Sequence, residues 1–500
     1  MSSMVTDEEK KKKEGLQIAA TFISGIAFFQ IFHVAFSSSK FTLLRFRIPP
    51  SHMSVYVNRM VISYRISTFC GVLLSTICDL ASSKRSDLIH RCLFSMFFGC
   101  HILLLCTYHT GGEQGHLTLF YWIIAISAFF VGSSYIMAVR IVAGNIRYLL
   151  VGLPMSRILM FFYQLSFLFI WEVFGLSNAH FWLVQWQIIF ATFLCVLTAC
   201  LWIPAYEIGG DCASQPGGVS NGGESPETGP KDAGWKDFGE TLIKATSPFL
   251  MSILGYGTQN VFYPGISPYK LVGIDKGSKI VMANMFISSI ASFTILGLAS
   301  SNKGPNRPWN GGNQAWLWHG AWGFFGIQMF CGILFLHAMH YPMSSISRMI
   351  RDSAWTLGFL TVLYNSCVEL TYGIGTNGSA KQGGNAISKV NTMRLFILVA
   401  MQISSASLGD GYVKIYSQYS KDPSNWPTKH FTTKKAFWFW TWNATKVAFG
   451  RLKCAFSTDL RSEVIGKKGH LFIVYEDEMD NSSKPTKAKD PKVMKIVHDI

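Results

Sequence analysis

Eleven separated apolar stretches, each long enough to cross a lipid bilayer, run through this chain and leave little room for any other kind of molecule. A span needs about 20 mainly apolar residues. The sequence offers them at Leu16–Ser39, Met60–Leu80, Cys92–Tyr108, Thr118–Val139, Tyr148–Leu176 and His180–Pro204, and then at Ile243–Ile266, Lys279–Ser300, Ala315–His340, Ala354–Gly375 and Met393–Ser417. The six and the five are separated by Gly209–Gly234, whose Gly-, Ser- and Pro-rich composition is that of a linker. In hydrocarbon every backbone polar group must be paired within the protein, and a single apolar stretch of this length achieves that only as a helix. The alternation of a membrane β-barrel, with a period of about 10 residues per strand, is absent. The expected fold class is therefore an all-α integral membrane protein with about eleven transmembrane helices in a 6+5 arrangement.

The rest of the chain is sparse. The expected parts are a polar N-terminal tail at 1–15, a six-helix half at 16–204, a disordered linker at 205–235, a five-helix half at 236–419 and a basic tail at 420–500. Only 14% of the 500 residues are charged and 49% are hydrophobic, whereas soluble domains carry about 25% charge. The net charge of +16 would raise nucleic acid as a partner in a soluble protein. Here the basic residues sit in short loops and tails beside spans, where they set orientation and meet lipid headgroups. The expected partners are thus a bilayer and a small polar metabolite, with no nucleic acid. The run Lys10–Lys13, with Lys84, Arg85, Arg91, Arg140 and Arg147, favours a cytoplasmic N-terminus. Lys40, Arg45, Arg47 and Arg59 in the first loop oppose it, and the tail carries 15 Lys and Arg against 9 Asp and Glu. The N-terminus inside and the C-terminus outside is the orientation expected, in a plasma or internal membrane. Within the tail, Lys434–Lys453 is aromatic and basic and reads as a helix lying at the headgroups near 434–450.

Nothing in the chain spells out enzyme chemistry. There is no Walker A, HExxH or HxxxxD pattern, and the 11 cysteines show no CxxC pair. No cofactor or metal site is expected. Polar groups inside spans are expensive, and each is a candidate site. Thr361, Asn365 and Glu369 recur every four residues on one face of the tenth stretch. Gln164 and Trp171 share a face of the fifth, Gln30 and His33 lie three apart in the first, and Asn260 and Tyr263 precede Pro264 in the seventh. Proline frees a carbonyl, and transporters place such breaks beside a binding site or gate. The competing reading of each is plain helix–helix hydrogen bonding or packing. Arg65, Arg157 and Arg394 sit near span ends and are expected to snorkel to the interface.

Several segments resemble equilibrative nucleoside transporters. Ala143–Phe169 is similar to that family's turn from the fourth to the fifth helix, Gly257–Leu271 to its seventh helix with an aromatic–Pro pair, and Asp352–Leu370 to its tenth. The resemblance implies eleven spans split 6+5, a major-facilitator-like architecture, and a base-contacting role for Gln164. The family's eighth helix carries Asn-x-Phe-Asp-x-x-Gly-Arg. Here Asn284 and Phe286 match it, while Ile287 and Ala291 replace the acid and the base. FYPGISPYKL, DSAW and the lysine-rich tail also resemble the Tpr-related multi-spanning membrane proteins of piroplasm parasites (Theileria and Babesia), for which no activity is implied. The functional expectation is a secondary transporter, facilitative or ion-coupled, of a small polar metabolite such as a nucleoside or nucleobase. The alternative is a non-transporting surface antigen or scaffold on the same fold. The candidate substrate residues are Gln30, His33, Gln164, Trp171, Asn260, Tyr263, Asn284, Asn365 and Glu369.

Overall fold

The computed structural model describes residues 7–81, 86–111, 115–142, 146–175, 177–206, 235–301, 303–309, 315–382, 386–420, 426–452, 455–456, 459–465, 472–475 and 493–497. All eleven apolar stretches are helical. The helices are α1 (Asp7–Phe36), α2 (Ser39–Arg45), α3 (Met53–Ala81), α4 (Ser86–His109), α5 (Leu117–Ile141), α6 (Ile146–Phe174) and α7 (Ala179–Ala205), followed after the linker by α8 (Trp235–Gly257), α9 (Gln259–Phe262) and α10 (Leu271–Ser300). The chain ends with α11 (Trp322–His340), α12 (Ser345–Asp352), α13 (Ala354–Ser379), α14 (Ile387–Tyr419), α15 (Thr433–Leu452) and α16 (Leu460–Ile465). A two-stranded antiparallel ladder, Phe472–Tyr475 with Val493–Val497, lies in the tail and was not expected from the sequence. Most of the linker falls outside the described residues.

By length and apolarity, nine described segments qualify as spans. One of these, Lys236–Ser300, holds two expected stretches in its 65 residues. The polar helix α13 is absent from this set although it stands in the middle of the bundle. The seventh stretch is broken where Pro264 and Pro268 fall: α8 ends at Gly257, α9 is one turn, and Gly265–Lys270 winds as a π-helical turn before α10. Non-helical backbone at such depth needs partners from the protein itself.

The helices run up and down, so one face of the bundle carries the start of α1, the end of α7 and the start of α8. We call it the near face. Gln17 there donates to the Ala205 carbonyl, and Arg91 donates to the Tyr206 carbonyl. In the first half α1 packs on α6 and α7, and α3 packs on α5; in the second α8 and α10 both pack on α13, and α14 on α8. The halves meet along α3 with α14 and α6 with α10. Close crossings use small residues, because lipid offers no hydrophobic drive and contact depends on near approach of backbones. At Gly25 and Gly152 the backbones of α1 and α6 leave no space for a Cβ on either side. Large apolar side chains such as Phe169, Phe193, Phe330 and Trp355 cover the outside of the bundle, as expected of a surface solvated by lipid tails.

The tail helix departs from a free headgroup-level helix. α15 packs against the far end of α14, with Trp440 and Ala444 fully buried. Trp440 stacks on His340 at 5.1 Å and 9°, at the far end of α11. After α15 the chain returns to the first half on that same far face. Tyr121 donates to the Ala455 carbonyl, Arg461 donates to the Phe46 carbonyl at 2.9 Å, and Trp122 meets Phe456. The tail therefore forms a strap across the far face from one half to the other. Arg59 also moves: it belongs to α3, is 1% exposed and pairs with Asp410 of α14 at 3.4 Å. It is thus a buried contact between the halves and no longer counts among the loop charges.

Candidate functional site

The polar stripe of α13 organises the centre of the molecule. Ser353 starts the helix by accepting from the Thr356 amide at 3.2 Å, which satisfies one of its first free donors. From there the four-residue spacing puts Thr361, Asn365 and Glu369 on one buried face. Each finds its partner on a different element. Thr361 shares a hydrogen bond of 2.6 Å with Ser267 in the π-helical turn. Asn365 Oδ1 accepts from Gln259 Nε2 of α9 at 2.8 Å. Glu369 receives Arg157 Nη1 of α6 at 2.5 Å and the Ser292 hydroxyl of α10 at 2.8 Å. One carboxylate therefore ties α13 to the other half of the protein.

Two adjoining cavities lie between the halves. The larger holds about 180 Å³ and is lined by α1, α3, α5 and α6 from one side and α8, α10, α13 and α14 from the other. Its walls come from the near-face parts of these helices, for example Val72, Leu150, Leu296, Asn377 and Leu395. Tyr64, Tyr135, Tyr256 and Tyr372 add aromatic surface, and Tyr256 stacks on Tyr372 at 4.5 Å. The smaller cavity, of about 60 Å³, lies on the far-face side and shares Phe32, Arg65, Tyr256 and Glu369 with the first. Beyond it the far face is held together by Arg59 with Asp410 and by Lys40 with Asp275 at 2.7 Å.

The structure brings His33, Asn260, Tyr263, Asn284, Asn365 and Glu369 together around the smaller cavity. His33 donates or accepts at Ser37 Oγ, 3.1 Å away, and Asn284 faces the Tyr263 hydroxyl. Gln30, Gln164 and Trp171 line neither cavity. Gln30 donates to Ser156 Oγ at 2.9 Å and fastens α1 to α6. Gln164 donates to Ser38 Oγ at 3.0 Å, and Ser38 in turn donates to Gln187. Trp171 packs edge-on against His180 at 4.8 Å. Gln164 lies seven residues beyond Arg157, a rise of about 10 Å along the helix, which carries it past the cavity.

The arginines correct the snorkelling expectation. Arg157 is buried and paired with Glu369. Arg394 is 8% exposed and donates to Thr376 Oγ1 at 3.0 Å. Arg65 lines both cavities with its guanidinium 5.6 Å over the Phe32 ring. Ile287 faces outward, whereas Ser288 and Ser292 of the same helix face the cavities. An acid–base pair does stand in the cavity wall, built from Arg157 and Glu369 on two other helices. No local motif announces a pair 212 residues apart: the polar stripe pointed to Glu369, while Arg157 read as an interfacial residue.

No protein-family profile matches the chain, and no curated protein does. Among solved structures the chain is similar to a D-xylose–proton symporter, at 13% identity and a TM-score of 0.50, covering 87% of this chain and 96% of that one. It also matches the nucleoside transporter NupG, at 13% identity and a TM-score of 0.43, over 89% and 100% of the two chains. A bacterial homologue of the human lysosomal transporter Spinster, inward-facing and unoccupied, matches at 12% identity and 0.48, over 91% and 93%. The first likeness establishes the fold as that of the major facilitator type, an all-α multi-pass membrane protein.

Proposed function

We propose that the protein is a secondary transporter that carries a small polar metabolite through the cavity between its halves. The observation that carries this reading is the Arg157–Glu369 pair, an ionic link between the two halves set in the wall of a central cavity. Intramembrane charges are costly and mark cargo or ion pathways. In this architecture the halves rock about a midplane site, and a cross-half pair makes and breaks with that motion. The far face is closed by the Arg59–Asp410 and Lys40–Asp275 pairs, and the larger cavity extends toward the near face. This corresponds to a conformation poised to exchange cargo at the side holding the N-terminus, taken to be the cytoplasm. Aromatic walls and the Asn260 and Asn365 amides suit a cargo with a planar ring, a nucleoside or nucleobase among the candidates. Coupling to protons would fall to Glu369.

The test is tracer uptake by purified protein in liposomes across nucleosides, nucleobases, sugars, amino acids and aromatic acids. Saturable uptake that Glu369→Gln abolishes, with the variant still monodisperse, is the expected result. Normal uptake by that variant would remove Glu369 from the mechanism. Failure to move any of these classes would favour the alternative of a non-transporting membrane protein, for which the sequence replacements at Ile287 and Ala291 speak.

A further inference from the structure

The charges around the cavity do not balance. Among the described residues Glu369 is the only carboxylate lining either space, and Arg157 and Ser292 already engage both of its oxygens. Arg65 remains as a second cation in the wall. Its nearest specified partner is the face of Phe32, and its Nε makes no hydrogen bond. Arg394 is a third. It stands behind the wall residues Tyr372 and Thr376 and is held by the hydroxyls of Thr376 and Ser252, with Nε unpartnered. Three guanidinium groups thus stand in or behind the wall against one carboxylate, Arg157 and Arg394 buried and Arg65 half-buried.

A buried cation without an anion is expensive, and the site recovers that cost only when an anion arrives. We propose that the cargo is an aromatic oxyanion: a carboxylate or phosphate on a planar ring, bound by Arg65, with Arg394 adding to the attraction. This rests on the transporter reading for the word cargo, but not for the site. Arginine suits the task because its planar fork matches two oxygens at once. The rings of Tyr64, Tyr135, Tyr256 and Tyr372, with Phe29 and Phe32, give the flat body its walls. A cationic cargo would meet like charge. A neutral one would leave the half-buried Arg65 without a counter-charge and its buried Nε without a partner.

The potential of the cavity is measurable without knowing the cargo. In full-length Asn377→Cys protein, whose new thiol sits in the wall of the larger cavity, modification rates are compared for the anionic sulfonatoethyl and the cationic trimethylammonium-ethyl methanethiosulfonates. The parent protein supplies the background and N-acetylcysteine the reference ratio. We expect the anionic reagent to be favoured over the reference by roughly tenfold. Adding Arg65→Gln should bring the ratio back most of the way, and the Asn377→Cys ratio alone decides the matter if the second variant does not fold. Phenyl phosphate or benzoate should slow modification by neutral methyl methanethiosulfonate, and which of the two acts better tells phosphate from carboxylate. Benzyl alcohol and benzamide should not slow it. A ratio equal to the reference, equal protection by the neutral analogues, or no protection by either anion overturns the proposal. These readings need no transport. A cationic, anion-protected cavity in a protein that moves nothing refutes the transporter reading alone, and a neutral cavity in a protein that does move a tracer refutes the anion alone.

Discussion

Removing Arg157 tests whether the ion pair at the centre is a coupled unit. The pair is 2.5 Å long with side chains 10% and 4% exposed. Two unit charges roughly 4 Å apart attract by about 4 kcal/mol at an effective dielectric of about 20. Deleting one partner of such a pair costs about 3–5 kcal/mol, because the other charge is left buried alone. Arg157→Met and Glu369→Met should each destabilise by that amount. If the two sites were independent, the double variant would lose about 6–10 kcal/mol. If they are one unit, the double variant should be no worse than either single, since it leaves no uncompensated charge. Thermal unfolding of the four proteins in one detergent, followed by the loss of monodisperse material, closes the cycle. Single losses that simply add in the double variant would refute the pairing argument. All three variants should be silent in uptake, because stability can be recovered without the acid and the base while a cross-half link cannot.

Three further outcomes follow from the packing. Asp410→Asn should cost about 3–5 kcal/mol by leaving Arg59 charged and buried, and Asp410→Leu with Arg59→Met should recover most of it; a midpoint unchanged in Asp410→Asn would show that the pair is not sealed from solvent. Gly152→Leu should abolish recovery of monodisperse protein, since even a Cβ there collides with the backbone at Gly25; normal yield would mean that α1 and α6 do not cross closely. Trp440→Ala should cost about 3–5 kcal/mol of local packing and release the tail, measured as faster protease cleavage within α15; cleavage at the wild-type rate would show that Trp440 does not hold the strap.

The spans were legible because length and apolarity are local properties of a chain, and they placed every main helix of both halves. The stripe Thr361, Asn365 and Glu369 was legible for the same reason: a period of four on one helix needs no knowledge of its neighbours. What it touched was not. Arg157 looked like a residue reaching for headgroups because it follows Pro154 near the start of a span, and only the placement of α13 against α6 turns it inward. Gln164 shares the face of Arg157 but not its depth, and a helix pattern reports direction far better than level. Arg65 and Arg394 were hidden in the same way. A charge within a few turns of a span end reads as superficial until the neighbouring helices show what surrounds it. The helix α15 was legible from its aromatic and basic run, but the strap was not, because the tail's partners Phe46, Thr118 and Tyr121 lie more than 300 residues earlier.

That strap changes the mechanics of the bundle. The two halves are joined twice, by the chain between Ala205 and Trp235 and by the tail contacts on the far face. Parting the halves at the near face leaves the tail contacts in place. Parting them at the far face must either strip Ala455 and Arg461 from the first half or stretch the segment after α15. In the proposed rocking motion, the contacts of Ala455 and Arg461 therefore oppose opening at the far face but not at the near face. A chain shortened before α15 would keep its cavity and its charges but lose those contacts, and in the proposed transport cycle would rest with the opposite side exposed more of the time.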